Sequence, residues 1–173
     1  MIKNKKAFTI LEMIMVITVV GFFSAGIAPF MWQLVESYKL IAGIQETSAS
    51  AKMALEWMTR EIREIKIEDN SLRLHITTAD TSDIEFYKTN GERVEYKLDA
   101  NDAIKRNNDI LVEGVESLSF KYYDVGNNEL GPLPLRGYNR KKIHHMKIIL
   151  TISNRGEQYT VSSYVVPRSI IMQ

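Results

Sequence analysis

The stretch KKAFTILEMIMVITVVGFF, Lys5 to Phe23, decides how the chain is read. Two lysines lead into a long apolar run, and a glutamate, Glu12, stands a few residues inside it. Outward from there, Met13 to Val35 contains no Asp, Glu, Lys or Arg. As a helix that stretch covers about 35 Å, against a bilayer core of about 30 Å. Lys3, Lys5 and Lys6 precede it, while Glu36, Lys39 and Glu46 follow. The positive flank predicts an N-terminus in the cytoplasm and everything after Val35 outside. A carboxylate inside a membrane helix costs about 2.5–3.5 kcal/mol on insertion scales, and such groups usually find a partner. An anchor alone gains nothing from Glu12.

Beyond the apolar run the helical pattern continues to about Glu68, interrupted only by Gly21, Gly26, Pro29 and Gly43. Ala51, Leu55, Met58, Ile62 and Ile65 recur at spacings of three and four, which predicts one buried face. Glu56 with Arg60, and Arg60 with Glu64, are expected as i,i+4 pairs on the wet side. DNS at Asp69 to Ser71 is read as the stop.

The period then changes to two. Strands are expected in SLRLHITT (Ser71 to Thr78), DIEFYKT (Asp83 to Thr89) and ERVEYKL (Glu92 to Leu98), the last two joined by a hairpin at Asn90-Gly91. A short strand is expected at Ala103 to Arg106. A strand follows in ILVEGVESLSFKYYD, Ile110 to Asp124, with Gly114 as its irregularity. After a loop rich in Gly, Pro and Asn, IHHMKIILTIS and EQYTVSSYVV pair across NRG. The expected fold is α+β. A long N-terminal helix, transmembrane half plus amphipathic half, packs on an antiparallel sheet head of five to seven strands. The expected organisation is a membrane-spanning helical stretch ending at Val35 and an extracytoplasmic head at 36–173.

Composition narrows the function. The chain has 173 residues, 45% of them hydrophobic and 25% charged, with a net charge of +1 and no cysteine. One modest domain with an appendage fits that length. The near-neutral balance offers no basic face for nucleic acid, so no nucleic-acid partner is expected. Without cysteine there is no disulfide and no thiolate metal site. No nucleophile motif, phosphate loop or metal spacing is present, and neither enzyme activity nor a cofactor is expected. His144 and His145, adjacent in a predicted strand, should point to opposite faces and so not share a metal. Asp124, Asn127, Asn128 and Glu129 crowd one loop with oxygen atoms of the kind calcium takes, though a plain turn accounts for the same residues. Arg140, Lys141 and Lys142 read as a solvated basic cluster.

Three readings of the N-terminus compete. A secretory signal peptide would be cut near Gly26-Ile27-Ala28, which puts Pro29 first in the mature chain and leaves the apolar PFMWQLV behind it. An uncleaved single-pass anchor explains the lysines and the length but not Glu12. In the third, KKA-FTILE resembles the N-terminal signature of the type IV pilins and pseudopilins. That resemblance implies a basic leader at 1–7, Met1 to Ala7, cut between Ala7 and Phe8 ahead of a transmembrane and assembly helix at 8–35, with Ala7 where the family usually has glycine. It implies N-methylation of Phe8. Glu12, the fifth residue counted from Phe8, would meet the N-terminal amine of a neighbouring subunit. The family's helix-weakening glycine and proline fall on Gly21 and Pro29.

The resemblance is close from Lys3 to Val35 and looser beyond. ALEWMTREIREI (Ala54 to Ile65), ILVEGVESLSFKYYD and YVVPR (Tyr164 to Arg168) are similar to J-type minor pseudopilins of type II secretion and to W-type minor pilins. The implied partners are a prepilin peptidase, other minor and major pilins or pseudopilins, and the inner-membrane assembly platform. The implied setting is the cytoplasmic membrane, with the chain one member of a hetero-oligomeric filament. A membrane-tethered extracytoplasmic binding module is the alternative from another class.

Overall fold

A computed structural model gives the fold; it describes residues 9–68, 73–154 and 157–171. The chain divides into two compact units, Met1–Gly43 and Ile44–Gln173. Helix α1 runs unbroken from Ile10 to Ile62. In the first unit every described side chain from Thr9 to Lys39 is exposed. Ile10–Lys39 has a mean hydropathy of 2.2 and is long and apolar enough to cross a membrane.

The second unit is α+β. Its part of α1 turns Ala51, Leu55, Met58 and Ile62 into the core, and Ile65 follows them there. The expected stripe is therefore the packed face. The wet side differs from expectation. Arg60 lies over the ring of Trp57, 4.3 Å from its centroid, and Glu64 pairs with Lys88 at 3.2 Å. The helix also ends at Ile62, not near Glu68. IREIKI satisfies a helical period and an alternating one equally, and sheet pairing wins after Ile62. Lys66 N–H donates to Tyr87 O at 2.8 Å, Thr89 N–H to Glu64 O at 2.9 Å, and Ile65 bridges Lys88. Just past the helix end, the Arg168 N–H donates to Arg63 O and the Ser169 hydroxyl donates to Ile65 O.

Among the described residues, eight strands form two antiparallel sheets, where the sequence suggested one sheet of five to seven. The first holds β1 (Ile76–Ala79), β2 (Asp83–Tyr87), β3 (Arg93–Asp99), β4 (Ala103–Arg106) and β5 (Asp109–Glu113), in chain order. The second holds β6 (Val115–Tyr123), β7 (His145–Asn154) and β8 (Glu157–Val165). Gly114 is the reason for the split. Its φ of +72° turns the chain out of β5 and into β6, so one expected strand becomes the last of one sheet and the first of the next. Short helices α2 (Gly137–Arg140) and α3 (Arg168–Ile171) complete the fold. The expected stop at Asp69 to Ser71 and part of the NRG turn lie outside the described residues.

The two sheets share one core in which Phe86, Tyr96, Phe120, Tyr122 and Met58 are the largest buried side chains. Backbone bonds from Phe120 N to Thr81 O and from Val115 N to Asp102 O, both 2.7 Å, fasten β6 to the first sheet. Tyr122 adds a hydroxyl bond to Asp80 O at 2.9 Å.

The β2–β3 hairpin turns where Asn90-Gly91 predicts. Gly91 N–H donates to Lys88 O at 2.9 Å, Glu92 N–H donates to Asn90 Oδ1 at 2.9 Å, and Gly91 holds φ +86°. A Cβ at Gly91 would meet nothing within 4 Å, so only the backbone conformation resists a side chain. Gly91→Ala is expected to destabilise the fold by about 1–2 kcal/mol, measured by chemical denaturation, without rearranging the hairpin.

Candidate functional site

Glu12 sits in the first turn of α1. Thr9 begins that turn: its Oγ1 accepts the backbone N–H of Glu12 at 3.3 Å, and its carbonyl accepts the N–H of Glu12 at 3.1 Å and of Met13 at 3.2 Å. The spacing Thr9-x-x-Glu12 is a capping pattern that also favours an acidic residue at a helix start. A local reason for a glutamate therefore exists beside the assembly reason, and the sequence reading overlooked it. Capping of this kind is worth about 1 kcal/mol. The carboxylate itself has no ion-pair partner among the described residues. It stands at the head of a helical stretch that exposes Leu11, Val16, Phe22, Phe23, Phe30 and Trp32 around its circumference.

Gly21 and Pro29 both lie inside the continuous helix. A side chain at Gly21 would meet nothing within 4 Å. Pro29 has no N–H, which deprives the Ala25 carbonyl, one turn back, of its helical donor. The helix holds through both positions, and they mark where its own bonding is weakest. Ala7 and Phe8, the expected cleavage pair, and the lysines before them lie outside the described residues.

In the head, a cluster of charges that the sequence reading missed ties α1 to the first sheet. Glu61 is only 5% exposed. Its carboxylate takes a two-pronged bond from Arg106, Nε to Oε2 and Nη2 to Oε1, both 2.9 Å. The Tyr96 hydroxyl donates to Oε2, and Lys88 Nζ lies 3.5 Å from Oε1. Glu92 closes the outer side, 2.6 Å from Arg106 Nη2 and 3.3 Å from Lys88 Nζ. Burial pushes the Glu61 carboxyl up, but Arg106, Tyr96 and Lys88 together outweigh it and hold the group below the usual range. Hydrogen bonds from Arg106, Lys88 and Asn90 pull Glu92 down to about 2. Burial and the Glu61 carboxylate both push the Tyr96 hydroxyl up, so it stays a donor. The signal was available: Glu61 lies between Met58 and Ile62 on the packed stripe, where a lone acid needs a buried cation.

Other expectations meet mixed outcomes. His144 and His145 do not diverge, because His144 precedes β7 and escapes its alternation; their Nδ1 atoms are 3.3 Å apart. His145 Nε2 lies 3.0 Å from Asn127 Oδ1, and its ring stacks on Tyr123 at 5.1 Å. In the Asp124 loop, the Asp124 carboxylate accepts bonds from the Asn128 backbone N–H at 2.9 Å and from its side-chain amide at 3.1 Å. Glu129 turns instead to Lys121 at 3.1 Å. These oxygens close a turn and do not converge on a common point. Arg140 is no solvated side chain: it donates to Thr77 O and pins the loop to β1, while Lys142 lies over Tyr138. Ser50, Met53, Ala54 and Trp57 of α1, with Ile110 to Gly114 and Ile152, line an apolar groove of about 810 Å³ in the head.

No protein-family model matches this chain, and no curated protein matches it.

Proposed function

We propose that the protein is a minor pilin or pseudopilin: a structural subunit of a type II secretion pseudopilus or a type IV pilus. It is made as a membrane-anchored precursor, trimmed by a prepilin peptidase and assembled through its N-terminal helix. The observation that carries this reading is Glu12: a carboxylate with no ion-pair partner among the described residues, at the start of an exposed apolar helix. Gly21 and Pro29 follow at the spacing the family resemblance requires. Lys3, Lys5 and Lys6 hold the leader at the cytoplasmic face. Cleavage after Ala7 creates the Phe8 amine, which keeps its positive charge when methylated. That amine neutralises Glu12 of the adjacent subunit, and one charge pair sets the register between helices. Buried pairs suit specificity better than raw stability. Weak bonding at Gly21 and Pro29 lets the helix adjust as it leaves lipid for the filament core.

Expression with and without a prepilin peptidase tests the reading. With the enzyme, the intact mass should fall by that of Met1 to Ala7, and a methyl group should appear on Phe8. A mature chain that begins at Met1 or near Pro29 instead supports the second reading, a single-pass membrane-tethered binding module. The apolar groove beside Trp57 is the observation that favours that module.

A further inference from the structure

A sheet edge presents unpaired backbone donors and acceptors, and proteins usually blunt it with a bulge, a charge, a short strand or a covering loop. Three of the four edges in the head are blunted. The edge of β1 is covered, with the Leu135 N–H bonded to Ala79 O at 2.8 Å and Arg140 on Thr77 O. β5 is short, carries Asp109 and Glu113 at its ends, and is bulged opposite Ile104 and Lys105. The edge of β6 is bonded to Thr81, Asp102 and Leu130.

β8 has none of these devices. It pairs with β7 without a break from Met146↔Val165 to Asn154↔Glu157. Its sequence EQYTVSSYV holds no proline, no lysine and one acid, at its first position. Among the described residues no backbone bond reaches its outer side. Tyr, Thr and Val are favoured strand residues.

We propose that the outer edge of β8 pairs antiparallel with β8 of a second copy of this chain. The strand is self-complementary. A two-fold pairing centred on Val161 sets Gln158 opposite Tyr164, Tyr159 opposite Ser163, and Thr160 opposite Ser162. Odd residues meet odd ones, so half-buried Tyr159 and Val161 stay on the core side while exposed Gln158, Thr160, Ser162 and Tyr164 stay on the wet side. The single charge, Glu157, falls opposite Val165, so no like charges meet. The result is one continuous six-stranded sheet. A single strand pair buries less surface than a stable soluble dimer needs, so the pairing depends on copies already concentrated by their apolar helices. The pairing is independent of leader processing, and its test reads out whether or not Phe8 is exposed.

The chain has no cysteine, which makes the test clean. Full-length Thr160→Cys and Ser162→Cys variants are expressed together in membranes and treated with a mild oxidant. Residues directly opposite across strands lie within disulfide reach. The expected result is a disulfide-linked pair of this chain, formed by the mixture and not by Ser117→Cys on β6 mixed with Thr160→Cys. A second measurement uses charge. Thr160→Glu with Ser162→Glu should abolish co-precipitation of two differently tagged copies, and mixing that variant with Thr160→Lys, Ser162→Lys should restore it. Both positions are exposed, so circular dichroism should stay native. The proposal is overturned if the mixture gives no more adduct than the control, or if Thr160→Cys is captured only by a different protein. It is equally overturned if the glutamate variant still co-precipitates.

Discussion

Glu61→Ala should lower the melting temperature of the protein by about 10–20 °C, the counterpart of about 3–5 kcal/mol for removing one partner of a buried ion pair. The size follows from what is left behind. Arg106 and Lys88 lose the carboxylate they share on the inner side, and the Tyr96 hydroxyl is left buried without its acceptor. Glu92 still faces both cations, so the cluster is weakened and not emptied. Tyr96→Phe removes one donor and should cost about 1–2 kcal/mol, clearly less. Acid should act in the same direction. Glu61 and Glu92 both have folded-state values below the ordinary carboxylate value of 4.5, that of Glu92 at about 2. Their contribution is complete above the unfolded value and is lost as pH falls through the folded one. Thermal stability should therefore decline between pH 4.5 and about 2, and Glu61→Ala should flatten that decline. A melting temperature within a few degrees of the parent at neutral pH would show that the cluster does not fasten α1 to the sheet.

Glu12→Ala should leave the protein in the membrane at normal abundance and nearly abolish its recovery in filaments. The unpartnered charge would then be the Phe8 amine of the neighbour. A buried charge costs about 2.5–3.5 kcal/mol, which corresponds to about a hundred-fold in incorporation. Glu12→Gln separates the two roles of the residue. The amide keeps the capping pattern with Thr9 but carries no charge. If the charge pair governs assembly, Gln fails as Ala does. If Gln assembles normally and only Ala fails, Glu12 serves the helix start and the pairing account is wrong. Shearing filaments from cells and comparing the sheared and membrane fractions reads both outcomes.

Much of the fold could be read from periodicity, because the packed face of α1 and most strands have unambiguous patterns. Ala51, Leu55, Met58 and Ile62 fit a single helical face, and β2, β3, β4, β7 and β8 lie close to where alternation puts them. The misreadings arise where one sequence satisfies two patterns or where the partner is distant. Ile62 to Ile67 suits both periods, and Tyr87 and Lys88 decide for the sheet. Gly114 reads as a bulge within one strand, but its positive φ and the bond from Ser153 N to its carbonyl make it a passage between sheets. Glu61 finds Arg106 and Lys88 only after three strands have folded over it, so no local window reveals the cluster. His144 and His145 meet because the strand begins at His145, two residues later than its hydrophobic pattern suggests. Local readings of Glu12 are incomplete for a related reason: capping explains where it stands, while its charge still lacks a partner among the described residues.

The proposed charge pair across subunits can be tested with a zero-length reagent. Dicyclohexylcarbodiimide, soluble in lipid, joins an amine to a carboxylate only when the two already touch. Filaments or membranes from a mixture of light and heavy isotope-labelled protein should yield a peptide linking Phe8 to Glu12, with light–heavy hybrids showing that the link joins two copies or, in mixed filaments, a sibling subunit's first residue in place of Phe8. A Glu12 that stays unlinked to any N-terminal amine, while the chain still carries Met1 to Ala7, would contradict the account.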